Sequence, residues 1–326
     1  MPQVSIVTPF YNSARWLRQC IDSVLRQTFE DFEYVLVDNC STDGGGDIAA
    51  ECARRDPRIR VVNTERLLPQ VDNYNFALQQ ISPTSQYCKL VQADDWVYPE
   101  CIDACVTASL ANDADLVCSF VHWNASIIPS GIAIDRAVMS GRDACRAYFL
   151  EGVYLFGSPT AQFWRSSVVR GKKNFFDPVL APFEDASVCF ELLDGRKFVF
   201  LHQVLCFSRR EAGSILDRLV GSGWPQAYRL QTLRLYGRKY LSDAEYERVH
   251  SEWQREYRLV LAAARLRKRN PEFADLHSRM MKAGHMEEVG QNLFWPTMRV
   301  IWDRVGNPCR LLESLRTRLG GGSAGG

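Results

Sequence analysis

Two adjacent carboxylates, Asp94 and Asp95, follow the run Lys89-Leu90-Val91-Gln92 and precede Trp96 and Pro99. Paired acids at the carboxyl end of a strand suit a hard divalent cation, Mn2+ or Mg2+, whose remaining ligands are phosphate oxygens and water. Such an ion would act as a Lewis acid on a departing diphosphate. The competing reading is an ordinary acidic helix start. A third acid, Asp38, ends another apolar run. Its carboxylate can accept the imide N–H of uracil or thymine, or the N1–H and N2–H of guanine, whereas adenine has no matching ring donor. Equally, Asp38 could cap the next helix. The turn Thr8-Pro9-Phe10-Tyr11-Asn12 contains no glycine, which excludes both a dinucleotide fingerprint and a Walker loop there.

These acids can cooperate only if strand ends are brought together. Residues 4–8 form a β-rich run, and Trp16, Leu17, Cys20, Ile21, Val24 and Leu25 then recur at helical spacing behind Asn12 or Ser13 as N-cap. A strand at 34–37, a Ser41-Thr42-Asp43 cap, a helix near 48–55 and a strand at 59–62 follow. Val71, Tyr74, Leu78 and Ile81 mark a third helix, and 89–92 a fourth strand. This alternation predicts an α/β fold, a Rossmann-like, mostly parallel sheet with helices on both faces that binds ligands at the carboxyl ends of its strands. Thr8, Asp38 and Asp94-Asp95 each follow a strand's last apolar residue, so one rim should collect them.

Further elements are expected as helices at 99–110, 143–150 and 184–193 and strands at 116–121, 161–164 and 198–207. From Pro225 onward the pattern is wholly helical, a C-terminal all-helical extension. The predicted organisation is a catalytic domain over 1–215, with a nucleotide-binding half at 1–100 and an acceptor half at 101–215. A helical region at 216–319 and a flexible Gly-rich tail at 320–326 follow.

Composition narrows the partners. The 326 residues carry 39 Lys and Arg against 38 Asp and Glu, so no global field for a polyanion exists and nucleic acid is not an expected partner. Eleven Cys without a Cys-x-x-Cys spacing read as small buried hydrophobes in a reducing compartment. No secretory segment or membrane span is recognisable, which suggests a cytoplasmic protein. The five His lack metal-ligand spacing. Trp96, Trp123 and Trp164 are either a sugar platform or core. Residues 251–326 hold 13 basic against 8 acidic side chains, interleaved with aromatic groups. That region either touches the inner face of the cell membrane peripherally or packs as a helical cap or homodimer contact.

Taken in order, Val4 to Asn12, Ser23 to Phe29, Val35 to Asp43 and Ala93-Asp94-Asp95 resemble the successive motifs of family 2 glycosyltransferases with the GT-A fold. Asn73-Tyr74-Asn75 is similar to an Asn-aromatic-Asn element of that family, which places Asn73 and Asn75 beside the donor. The resemblance implies that Thr8, Pro9, Tyr11 and Asp38 hold base and ribose, that Asp94 lies near the ribose or metal, and that Asp95 coordinates the metal. Gly157 to Thr160, Phe175 to Asp177, Phe183-Glu184-Asp185 and Ser208 to Ser214 resemble the acceptor side, with Asp185 implied as catalytic base. The family often has Arg-x-His where this chain has Arg209-Arg210-Glu211, so Arg209 or Arg210 would supply the contact to the diphosphate.

The implied activity is metal-dependent, inverting transfer from a nucleotide-sugar donor, expected to be UDP-linked, to a hydroxyl of a glycan or lipid-linked acceptor in cell-surface polysaccharide synthesis. One carboxylate base suffices for a single displacement, whereas retention through a covalent intermediate requires a second as nucleophile. Since successive helical residues point apart, only one of Glu184 and Asp185 is expected to face the acceptor. Two alternatives remain at this level: a nucleotidyltransferase, which usually carries a Gly-rich loop absent here, and a non-catalytic sugar-nucleotide-binding or scaffold protein.

Overall fold

The computed structural model describes residues 1–123, 126–129, 132–209, 223–266 and 271–305. The chain divides into two compact units, Met1–Arg218 and Leu219–Gly326. Arg210 to Ser214 and the segment after 305, including the Gly-rich tail, lie outside the described residues.

In the first unit, β1 (Val4–Phe10), β2 (Phe32–Asp38), β3 (Ile59–Asn63) and β4 (Tyr87–Leu90) form a parallel sheet in the order β3-β2-β1-β4. All seven residues of β1 are buried, as expected for a central parallel strand covered on both faces. Helix α1 (Ala14–Leu25) sets Leu17, Cys20, Ile21 and Val24 into the core at helical spacing. Helices α2 (Gly45–Arg55) and α3 (Gln70–Leu78) complete the crossovers.

The other half is mixed. β5 (Trp96–Val97), α4 (Cys101–Asn112), β6 (Leu116–Trp123), β7 (Ser126–Ile128), β8 (Val138–Ser140) and α5 (Gly141–Glu151) come first. β9 (Phe163–Arg165), α6 (Ser166–Arg170), α7 (Glu184–Leu192) and β10 (Lys197–Ser208) follow. β9 is inserted antiparallel between β4 and β6, β10 runs parallel to β6, and β5 pairs antiparallel with β10. The short strands β5, β7 and β8 carry too few residues for a period-two pattern to register in sequence.

Two contacts tie distant segments together. Asp43 accepts the Ala14 N–H at 2.7 Å with Oδ2 and the Gly45 N–H at 3.0 Å with Oδ1, so one carboxylate serves the N-termini of both α1 and α2. Ser13 occupies the N-cap position of α1, yet its hydroxyl turns back to donate to Tyr11 O at 3.1 Å. Asn75 clamps Phe176 across 101 residues: Nδ2 donates to Phe176 O and Oδ1 accepts from Phe176 N, both at 2.8 Å. Asn75→Ala is therefore expected to cost roughly 2–4 kcal/mol, two buried backbone groups being left without partners. A shift of the urea midpoint at constant slope measures this, and an unchanged midpoint contradicts the clamp.

The second unit is helical among its described residues. Asp243–Leu266 opens with a capping box in which Ser242 N–H donates to Glu245 Oε2 at 2.9 Å. Its buried face holds Tyr246, Val249, Trp253, Tyr257 and Leu261. Tyr257 Oη lies 2.7 Å from Nδ1 of the buried His277, so that histidine is structural.

Candidate active site

A cavity of about 650 Å³ opens at the carboxyl ends of β1 and β4 in the first unit. Its walls include Pro9, Tyr11, Asn73, Asp94, Asp95, Asp185 and Arg209, so most of the sequence-predicted residues meet here.

Asp94 and Asp95 sit in the turn between β4 and β5, where Asp95 N–H donates to Gln92 O at 3.0 Å. Alternation leaves Asp94 half-buried and Asp95 only 2% exposed. Asp95 Oδ2 accepts the Thr160 hydroxyl at 2.6 Å, and Oδ1 accepts the Arg209 backbone N–H at 2.9 Å. The same Thr160 oxygen receives Gln92 N–H at 3.1 Å. Burial, and then the neighbouring charge of Asp94, push the Asp95 carboxyl up to about 7. Among the described residues no cluster of three or more His, Cys, Asp or Glu could hold a metal ion alone. The oxygen-only pair Asp94-Asp95 nevertheless fits a hard divalent ion that takes its other ligands from a diphosphate and water, because added positive charge relieves the repulsion between these two acids.

Asp185 and Glu184 occupy the first turn of α7. Both line the cavity, whereas helical spacing predicts that only one of them faces an acceptor. Asp185 Oδ1 accepts from Ala186 N–H at 2.8 Å, and its backbone carbonyl accepts Gln162 Nε2 at 3.0 Å. Gln162 is itself held by Trp164 Nε1 at 3.0 Å. Burial, followed by the Glu184 charge, raises the Asp185 carboxyl to about 8, and burial raises Glu184 as well. Glu184 Oε2, Asn73 Oδ1 and Ser158 Oγ are buried atoms of the wall without a hydrogen-bond partner. Buried polar atoms are normally satisfied, so three such atoms around one cavity are candidates for contact with a ligand or ordered water.

Three predicted residues do not line the cavity. Thr8 is turned inward by strand alternation, its hydroxyl 2.9 Å from Tyr34 Oη and fully buried. Asn75 spends both amide atoms on Phe176. Asp38 Oδ1 accepts Ser41 N–H at 2.8 Å, and its other oxygen sits 2.8 Å from where a Cβ on Gly46 would stand. Asp38 thus closes the turn into α2, while the next residue, Asn39, reaches the wall and pins Leu68 N–H at 2.9 Å.

The sequence motifs do not mark Arg15 and Trp16 as site residues. Both line the cavity, with the guanidinium carbons of Arg15 and Arg209 at 4.3 and 3.6 Å from the Trp16 ring centroid. Arg209 also donates from Nε to Asp94 O at 3.0 Å and from Nη2 to Gln19 Oε1 at 3.0 Å. Helical periodicity assigns Trp16 to the core face of α1, whereas it is half-buried at the rim. Its position directly after the β1 turn was the available signal. Of the three tryptophans proposed as a platform, Trp123 lines the cavity, Trp96 stacks on Phe207 at 3.6 Å, and Trp164 is core.

Residues 5–127 match the model of glycosyl transferase family 2. GlyG, a glycosyltransferase of Streptococcus pneumoniae serotype 4, is 31% identical over 114 residues, 35% of this chain and 37% of GlyG. TuaG of Bacillus subtilis, described as a putative teichuronic acid biosynthesis glycosyltransferase, is 35% identical over 94 residues, 29% of this chain and 36% of TuaG. The matched stretch therefore spans well under half of either relative. Staphylococcus aureus TarS 1–349, solved in complex with UDP-GlcNAc, superposes with a TM-score of 0.64 at 20% identity, covering 89% of this chain and 81% of TarS 1–349. The family likeness covers residues 5–127, and the likeness to TarS 1–349, at 20% identity, is one of fold.

Proposed function

We propose that this protein is a metal-dependent, inverting glycosyltransferase that moves a sugar from a nucleoside diphosphate, UDP in the first instance, to a hydroxyl of a glycan or lipid-linked saccharide. Cell-surface polysaccharide assembly is the proposed setting, supported by the likeness to TuaG. The observation that carries this reading is the meeting of Asp94-Asp95, the Arg15 and Arg209 guanidinium groups and the Glu184-Asp185 pair on one cavity.

In this reading Pro9, Tyr11, Asn39 and Asn73 wall the nucleoside. Asp38 does not reach this wall; it fixes the turn into α2 from which its neighbour Asn39 does. Asp94 and Asp95 would hold Mn2+ or Mg2+, which when bound supplies Lewis-acid stabilisation of the leaving diphosphate. Arg15 and Arg209, kept in place over Trp16, add positive charge on the same side. Asp185 takes the proton from the acceptor hydroxyl as its oxygen attacks the anomeric carbon and the bond to the diphosphate breaks. One base acting opposite the leaving group gives inversion.

The test is a thermal-shift panel of UDP, GDP, dTDP and ADP, each with and without Mn2+, since a ligand of the native state raises its apparent stability. UDP with Mn2+ is expected to give the largest shift. Stabilisation by ADP alone would remove the uridine reading, and equal shifts without the ion would remove the metal.

A further inference from the structure

The second unit ends, among its described residues, in the helix Phe294–Val305. Its start is fixed from within the unit: Arg258 Nη2 donates to Asn292 O at 2.7 Å, and Arg265 Nη2 to Gly290 O at 3.1 Å. The helix packs on Asp243–Leu266, with Leu293 buried just before it and Val300 half-buried. Its other face is apolar and, among the described residues, uncovered. Phe294 is 63%, Trp295 77% and Trp302 68% exposed, and Met298 and Ile301 are exposed beside them. At ~100° per residue these five side chains fall within an arc of about 120°, with the exposed Arg299 at its border.

We propose that this face lies in the headgroup region of an anionic phospholipid bilayer. Residue type and charge favour that occupant. An indole buried in a dry protein contact must find an acceptor for its N–H, whereas the headgroup region offers water, ester carbonyls and phosphate to both Trp295 and Trp302 while the rings sit against acyl chains. Residues 292–326 hold five Arg against two acidic residues, the sign that anionic lipid attracts. The arc is also wider than the narrow two-position seam of a self-associating helix. Contact is interfacial: no helix among the described residues is long and apolar enough to cross a membrane.

The experiment is co-sedimentation of the full chain with vesicles of phosphatidylcholine alone and of phosphatidylcholine with phosphatidylglycerol, at low and high salt. Wild type is expected to sediment with the anionic vesicles and to be released by salt. The double variant Trp295→Ser with Trp302→Ser is expected to lower partitioning at least ~10-fold. Both side chains are exposed, so its circular dichroism and melting temperature should match wild type, confirming a folded protein. Absence of wild-type binding, or equal binding by the double variant, overturns the proposal. So does a wild-type dimer that the double variant converts to monomer without any lipid binding, which assigns the face to a second copy of the chain. Neither outcome depends on glycosyl transfer, so the proposal stands or falls separately from the donor-site reading.

Discussion

Asp185→Asn is expected to lower kcat by about 10³-fold, within the range that a positioned general base contributes. Asparagine keeps the volume and can still accept the Ala186 N–H through Oδ1, so α7 retains its first turn. It cannot take a proton. Because Asp185 is proposed to touch the acceptor and not the nucleotide, UDP affinity in the presence of Mn2+ should stay within about 3-fold of wild type. Undiminished turnover would remove the base; a parallel collapse of UDP binding would mean that Asp185 belongs to the donor. The raised carboxyl adds a pH signature. In the free enzyme kcat/KM should climb as pH rises through about 8, where Asp185 ionises. Stability should move the other way, since the native state holds this proton more tightly than the unfolded chain, whose carboxyl titrates near 3.8. The contribution is full below that value, declines as pH rises, and is lost above about 8. Denaturant midpoints at pH 5 and pH 8 should therefore differ less in the variant than in wild type.

Asp95→Asn should abolish the metal-dependent gain in nucleotide binding while changing the unliganded protein little. Two effects oppose each other in the free protein. The amide must present N–H2 to either Thr160 or Arg209 N–H, both of which donate to Asp95, but a desolvated charge beside Asp94 is also removed. With ligand the balance is one-sided, because a neutral amide is a far poorer partner for a divalent ion. At a UDP concentration 100 times the wild-type Kd, binding stabilises wild type by about 2.7 kcal/mol, and a 100-fold loss of affinity leaves about 0.4 kcal/mol. A thermal-shift titration with Mn2+ resolves that difference, and a retained shift would take Asp95 out of the donor site.

The alternation of apolar runs made the first four strands and three helices legible, because each period was long enough to repeat. Strand ends pointed to Thr8, Asp38, Asp94 and Asp95, since a parallel sheet gathers those ends on one rim, and the last two line the cavity. What stayed hidden depends on contacts between segments far apart in the chain. Thr8 and Asn75 belong to the right motifs, but alternation turns the first inward and Phe176 occupies the second. Trp16 has the spacing of a core residue but lies half-buried at the rim, in contact with two guanidinium groups. Glu184 lines the cavity alongside Asp185, which the divergence of successive helical residues does not predict.

The order in which the site closes follows from Asp95. Its two donors, Thr160 and Arg209, lie 65 and 114 residues further along the chain. On a ribosome adding about 5–20 residues per second, the first four strands can be complete roughly 6–24 s before Arg209 has been synthesised. During that interval the nascent polypeptide holds an acidic turn without its clasp. The newborn enzyme should therefore stay inert towards donor until synthesis has passed β10, and translation stalled shortly before residue 209 should leave a folded but incompetent intermediate.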